Sequence, residues 1–445
     1  ACFAQVSSYL MCETLEMSHL KTHLNNLVPW PRITRVLTFF GKQKRSDLFV
    51  LGNCCFNSKG EVNMLDTAGV GILPSTFTSG KSALCSWAQD DFPRLLLIEQ
   101  DWVRYAFFVN MWRSIIPDYF LNNTMAMKAT FALTILHSHA DRFWRGEAVG
   151  KSVPAGILKS TGQNTGKTKA QDFCNAFVGL GRVGDIGKGL QCGGVSSLAQ
   201  VTARLAQQTC MSLHLDEIVA KVMGGGAKSW SDQSDFVKDL AHCTYDRTFR
   251  GVLATANSMG ETRPMSSWVG SCNMIVNEED ATMWSRILLI PFVPIDTTNV
   301  DESLSQLKQT YMTDCEAVVS AILPDLYAIG YNGKLDAEAL NDCATFMNAA
   351  TGQVYNRNCN CWGFLIYYMC LLEVMAQNGS EALQQVFEYT CKSVVKQNYA
   401  LQRFTSNLER FIIDFERCRA VTTPLSALDR SIHWHNYRAN IKPKG

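Results

Sequence analysis

What is scarce in this sequence narrows its function before any motif is read. An excess of either charge is absent: 41 Lys and Arg stand against 40 Asp and Glu, for a net charge of +1. That balance excludes a globally basic nucleic-acid coat but leaves room for a local basic channel. No apolar run is long enough to cross a bilayer, so no membrane partner is expected. The longest, Cys361 to Met375 (CWGFLIYYMCLLEVM), is interrupted by Glu373 and reads as a buried helix. Zinc-ligand spacing is missing too. The 17 cysteines are scattered mostly singly along apolar segments, and Cys54-Cys55 and Cys359-Asn-Cys361 have no second pair. Reduced, buried thiols in an intracellular, non-secreted protein of the cytoplasm or nucleus are the expectation. The chain begins at Ala1 with neither a methionine nor a signal-peptide pattern, as expected of a fragment or a processed form.

Hydrophobic residues make up 47% of the 445 and charged residues 18%, enough for a packed core. The length suggests about two or three domains. Residues 1–100 read as a mixed N-terminal region. Stretches such as QVSSYLMCETLEMSHLKTHLNNLV have helical spacing, and Asp47 to Leu73 shows short β-rich runs parted by an Asn-Ser-Lys-Gly turn. Residues 101–145 read as a helical connector with Pro117 dividing it. From 146 to 300 short apolar strands alternate with helices, the pattern of a mostly parallel sheet. Residues 301–445 carry helical spacing almost throughout.

The chemistry concentrates in the third of these regions. KSTGQNTGKTK, Lys159 to Lys169, follows the apolar run Val153–Leu158 and precedes a helical pattern. A phosphate loop needs such a strand, a turn whose backbone N–H groups converge on phosphate oxygens, and a lysine at the helix start. Gly162 to Gly166 supply the turn, Lys167 the cation and Thr168 a hydroxyl for magnesium. The usual first glycine is replaced by Thr161, with Gly162 one place later, so taken alone the segment is also readable as a polar turn. A second apolar strand, Thr209 to Glu217 (TCMSLHLDE), ends in adjacent acids about 50 residues on, a distance that admits a crossover. A third, GVLATAN, ends at Asn257, whose amide suits a water-orienting position. In a fourth, SRILLIPF, Arg286 heads the strand and is placed to reach transferring phosphoryl charge.

The order STGQNTGKT, LHLDE, LATAN, SRILLIPF resembles the A, B, sensor and arginine motifs of the superfamily III helicases and their phage, viral and mobile-element relatives within the AAA+ class. The resemblance covers about residues 145–295. It implies an α/β P-loop NTPase core with a parallel sheet, flanked by the mixed α/β N-terminal region and the helical C-terminal region read from the patterning above. It implies ATP held by Thr161, Gly162, Gln163, Asn164, Thr165, Gly166, Lys167 and Thr168, and magnesium held by Thr168 and Asp216. Glu217 would then be the water-orienting base, Asn257 the sensor, Lys167 and Arg286 the charge stabilisers, with Arg286 acting on the next subunit of a homo-oligomeric ring, a hexamer in such relatives. It points to an ATP-driven motor acting on DNA or RNA, with single-stranded DNA as the expected partner. The sequence departs from the pattern at Thr161 and again between the acids and the sensor. There those helicases place a DNA-gripping hairpin, whereas MGGGAKSWSDQSDFVKDLAHCTYDRTFRG reads as a glycine turn, a helix and a basic exit.

Two rival readings use the same loop. A remodelling AAA+ ATPase would act on protein partners without nucleic acid, and a small-molecule kinase would need neither Asn257 nor Arg286. Gly179 to Gly184 spells G-x-G-x-x-G but follows a helical pattern instead of a strand, which argues against a dinucleotide site. His137 and His139 read as surface or packing residues rather than metal ligands, and His214, inside the acid-bearing strand, as a core residue.

Overall fold

The computed structural model describes residues 35–37, 40–43, 46–65, 67–68, 70–72, 78–79, 82–83, 92–144, 152–160, 162, 164–180, 198–216, 218, 230–247, 250–255, 258–262, 264–273, 281–295, 302–331, 336–350 and 357–401. The helical stretch expected at QVSSYLMCETLEMSHLKTHLNNLV lies outside them.

The N-terminal region is built of short strands. β1 (Arg35–Leu37) pairs in parallel with β6 (Val70–Ile72), and β7 (Thr78–Ser79) pairs with β8 (Ser82–Ala83). β2 (Phe40–Lys42), β3 (Leu48–Val50), β4 (Cys54–Asn57) and β5 (Val62–Met64) form an antiparallel meander. The Asn-Ser-Lys-Gly turn closes its last hairpin: Asn57 Oδ1 accepts from the N–H groups of Lys59 (2.9 Å) and Glu61 (3.1 Å).

Helices α1 (Asp101–Asn110), α2 (Ile116–Phe120), α3 (Thr124–Ser138) and α4 (Ala140–Trp144) follow. Pro117 does not divide them. A π-helical turn, Met111–Ile115, joins α1 to α2 without leaving helical backbone, and Pro117 follows closely on this wider turn. The break falls at Leu121, whose φ of 47° leaves the helical region. α3 is more than a connector. Every residue from Ala126 to Ser138 is buried, and its Lys128 makes a 2.7 Å ion pair with buried Glu373.

The central sheet has four parallel strands: β11 (Leu213–Leu215), β14 (Trp268–Cys272), β9 (Ala155–Lys159) and β15 (Ile287–Pro291), in that order. Their apolar runs are continuous because both faces are covered. The two-residue alternation of the strands divides them between two cores. Leu158, Val269, Leu288 and Ile290 join α3 and α5 (Lys167–Phe177) on one face. Ile157, Leu213, Leu215, Trp268 and Ile287 join α6 (Leu198–Gln207) and α7 (Trp230–Tyr245) on the other.

β10 (Gln208–Thr209) lies between α6 and β11 in sequence but pairs in parallel with β2, so the N-terminal meander and the 146–300 region share a five-stranded sheet. β12 (Arg250–Thr255) and β13 (Ser258–Thr262) form a separate antiparallel hairpin. The expectation of a helix and basic exit between the acids and the sensor is thus half met: α7 is there, and a hairpin follows it. The C-terminal helices, α9 (Glu302–Val318), α10 (Leu323–Tyr331), α11 (Ala337–Ala350), α12 (Arg357–Met375) and α13 (Ser380–Leu401), come after the one-turn α8 (Ala281–Trp284). The apolar run at 361–375 is in α12 and mostly buried. Among the described residues no helix is long and apolar enough to cross a membrane. The described cysteines are free thiols, most of them buried.

Candidate functional site

β9 runs into the turn at Ser160, and α5 begins at Lys167. Between them Asn164 (φ 55°) and Gly166 (φ 80°) adopt left-handed backbone. This conformation brings the chain abruptly into the helix, and at Gly166, the residue that caps α5, only glycine accepts it without strain. The first N–H groups of α5 have no acceptor within the helix and carry its positive dipole end, a setting that suits an anion. Lys167 is buried. Its ammonium donates to Ser160 Oγ (2.6 Å), the Cys272 carbonyl (2.9 Å) and Asn273 Oδ1 (2.5 Å). Thr168, one residue on, is exposed on the same turn.

The strand beside the acids is not the expected one. β11 pairs with β14, with Leu215 opposite Gly270, so Asp216 comes level with Ser271 and accepts a hydrogen bond from its hydroxyl at 2.8 Å. β14 in turn pairs with β9, Cys272 opposite Lys159, which brings Asn273 level with Ser160. Asn273, exposed at the end of β14, therefore stands between the lysine and the acid. The strand before Asn257 is β12, which belongs to the hairpin, not to the central sheet. Asn257 itself, like Thr161, Gln163 and Glu217, lies outside the described residues. One turn into α5, Gln171 donates to the carbonyls of Leu215 (3.1 Å) and Val269 (3.2 Å), fastening the helix to both strands.

Ser160, Asn273 and Asp216 thus follow the carboxyl ends of three adjacent parallel strands, with Lys167 at the start of α5 bonded to the first two; this edge is where open α/β sheets bind ligands. The donor set suits a triphosphate and a hard cation: helix amides, an ammonium, a hydroxyl and a carboxylate.

Arg286 lies at the other end of the sheet. β15 is parallel to β9 with Ile287 opposite Ala155, so Arg286 stands a full five-residue strand, roughly 16 Å, from the phosphate turn of its own chain. It is only 7% exposed, donates to the Thr282 carbonyl at 2.6 Å, lies 3.4 Å from Asp246 and packs over the Tyr245 ring. In the single chain its guanidinium is engaged by Thr282, Asp246 and Tyr245. Arg247, in the basic exit, stacks on Trp144. Of the two readings left open for His137 and His139, packing is the one met, and His214 is in the core as expected: all three are buried. His137 bonds Ser212 and the Pro154 carbonyl, His139 bonds Tyr368 and the Tyr327 carbonyl, and His214 has no hydrogen-bond partner for either ring nitrogen.

Asn273, Ser271, Ser160 and Gln171 were not anticipated from the sequence. The one available signal was that the apolar run WVGSC also ends in asparagine.

No protein family's sequence profile matches the chain, and no curated protein matches it in sequence. Among solved structures it is similar to Cch of SCCmec type IV, described as an active helicase, with a TM-score of 0.52 at 9% identity over 86% of this chain. The chain spans 64% of the length of that structure. The C-terminal region of NrS-1 (TM-score 0.28, 11% identity, 75% of this chain and 87% of that one) and JCV helicase (TM-score 0.24, 12% identity, 56% and 74%) also match, below the level that supports an argument. With its parallel sheet, flanking helices and helical C-terminal part, the chain has a mixed α/β, helicase-like fold.

Proposed function

We propose that the chain is an ATP-hydrolysing motor of the superfamily III type that acts on nucleic acid. The observation that carries this reading is the convergence of Lys167, Asp216 and Asn273 at the ends of three adjacent parallel strands, beside the left-handed turn that opens α5. In this reading the turn 161–168 holds the phosphates through its amides, and Lys167 neutralises their charge. Thr168 and Asp216 hold magnesium, with Ser271 fixing one carboxylate oxygen. Bound magnesium would spread the negative charge of the phosphoryl oxygens. Glu217, next in the chain, takes the proton of the attacking water. Asn273 replaces Asn257 as the amide that senses the terminal phosphate, since it already shares the Lys167 ammonium.

The hairpin β12–β13 supports nucleic acid as the partner. It lies in sequence between the acid strand and the Asn273 strand, the interval in which the resembled helicases grip DNA. Single-stranded DNA and a homo-oligomeric ring, a hexamer in such relatives, complete the proposal. Action of Arg286 on a neighbour would require it to leave Thr282 and Asp246.

The test is ATP turnover by the full chain with and without single-stranded DNA across a salt series. The expected result is stimulation that weakens as salt rises, because phosphate contacts release counterions. Lys167→Ala should abolish turnover, and Glu217→Gln should slow it at least ~100-fold. Full activity in Lys167→Ala would refute the nucleotide site. ATP turnover indifferent to DNA would leave an ATPase acting on protein partners.

A further inference from the structure

In a phosphate-binding turn the amide N–H groups face inward, so the carbonyls of the same peptides face outward and need donors from elsewhere. Two successive carbonyls of this turn find theirs on one side. The Asn164 carbonyl accepts from the Ile295 N–H at 3.2 Å, in the segment that follows β15. The Thr165 carbonyl accepts from Asn123 Nδ2 at 3.0 Å, from the corner between α2 and α3.

Asn123 is only 2% exposed, and its amide is used in full. Nδ2 also donates to the Val293 carbonyl (2.7 Å), and Oδ1 accepts from the Val293 N–H (2.9 Å). One side chain thus binds Val293 as a neighbouring strand would and applies its remaining donor to the turn. The backbone that delivers it is constrained on both sides. Just before it Leu121 holds φ at 47°, a region that side-chain-bearing residues rarely occupy and that persists only where the surroundings demand it. Just after it begins α3, buried through nearly its whole length.

We propose that Asn123 is a positioning residue of the nucleotide site. It holds the Thr165 carbonyl outward, which sets the amides at the start of α5 toward the phosphates, and it ties the turn to the segment after β15. The inference rests on the nucleotide reading above. It adds a residue far outside the turn, on which phosphate affinity depends without contact. Asn122 provides the contrast. It is exposed, and its amide reaches only the Pro294 carbonyl (3.0 Å), not the turn.

The test is an equilibrium titration of the full chain with a fluorescent ATP analogue and magnesium, beside the melting temperature without nucleotide. The chains compared are the native one, Asn123→Asp, Asn123→Ser, Asn122→Ala and Lys167→Ala. Asn123→Asp keeps the acceptor for the Val293 N–H but turns an oxygen toward two carbonyls. The expected result is an affinity about 10-fold weaker or worse, the equivalent of one net hydrogen bond to the turn. KM for ATP should rise with kcat nearly kept, and Asn122→Ala should bind as the native chain does. Should Asn123→Asp fail to fold, Asn123→Ser, too short to bridge both carbonyls, carries the comparison. Native-like affinity in a folded Asn123 variant overturns the proposal, as does an equal loss in Asn122→Ala. Absence of binding by the native chain, matching Lys167→Ala, overturns the nucleotide reading instead.

Discussion

Arg286 shows how one residue's surroundings decide its role. Its guanidinium is buried against Tyr245, donates to the Thr282 carbonyl and approaches Asp246, so removing it opens a gap in the packing and takes from the carbonyl a charged donor and from the ring its cation. Arg286→Ala should therefore destabilise the isolated chain by about 2 kcal/mol, read as a lower denaturant midpoint. An unchanged midpoint would mean that the side chain is not held as described. A role in a neighbouring subunit has a separate signature, since mixing Arg286→Ala with Lys167→Ala chains would then restore part of the lost turnover. The asparagines teach the same lesson. Asn257 and Asn273 each end a short apolar run, and composition ranks neither above the other. Strand pairing separates them, because β14 lies between β11 and β9 whereas β12 folds back on β13.

At the scale of elements, local signals were read well wherever the chain satisfies itself locally. The Asn-Ser-Lys-Gly hairpin, the helix after Gly166 and the buried helix at 361–375 all depend on neighbours in sequence. β10 does not. Two residues long, it exists only because β2 pairs with it, and that approach needs Gly41. There φ is +84°, and an added Cβ would lie 1.9 Å from the Thr209 carbonyl oxygen. Gly41→Ala should cost about 2 kcal/mol or more, from strain and from the lost pairing. Urea unfolding measures it, and a native-like midpoint would count against the β2–β10 joint. Likewise, Pro117 reads as a helix break in the sequence, yet helical backbone passes through it by way of a π turn, the actual break being Leu121, which carries no sequence mark.

For the whole molecule, α3 and the buried strands around it set how stability responds to acid. Burial pushes the imidazoles of His137 and His139 down to about 4 and that of His214 to about 3. Each is neutral in the folded chain, while in the unfolded chain it takes up a proton near 6.5. Between those values the unfolded state binds the extra proton, so acid favours unfolding. Stability should be fully present above about pH 7 and fall as the pH drops toward about 4, by up to ~1.4 kcal/mol per pH unit for each histidine. Melting temperatures across that range test this. His214→Leu should flatten the slope and raise the melting temperature, since neither nitrogen of His214 has a partner to lose. A slope unchanged by that substitution would show that His214 is not a buried neutral imidazole.

By itself the sequence determined what local chemistry dictates: an alternation of strands and helices between 146 and 300, a helical C-terminal part, and a glycine-rich turn between strand and helix with Lys167 at the helix start. Tertiary structure alone decided which strands became neighbours. That choice placed Asn273 beside Lys167, buried Arg286 at the far end of the sheet, and brought Asn123 across from the α2–α3 corner to hold the turn. The reason is that parallel pairing and side-chain bonds over long sequence separations depend on two cores closing together, and no stretch of residues encodes its partner.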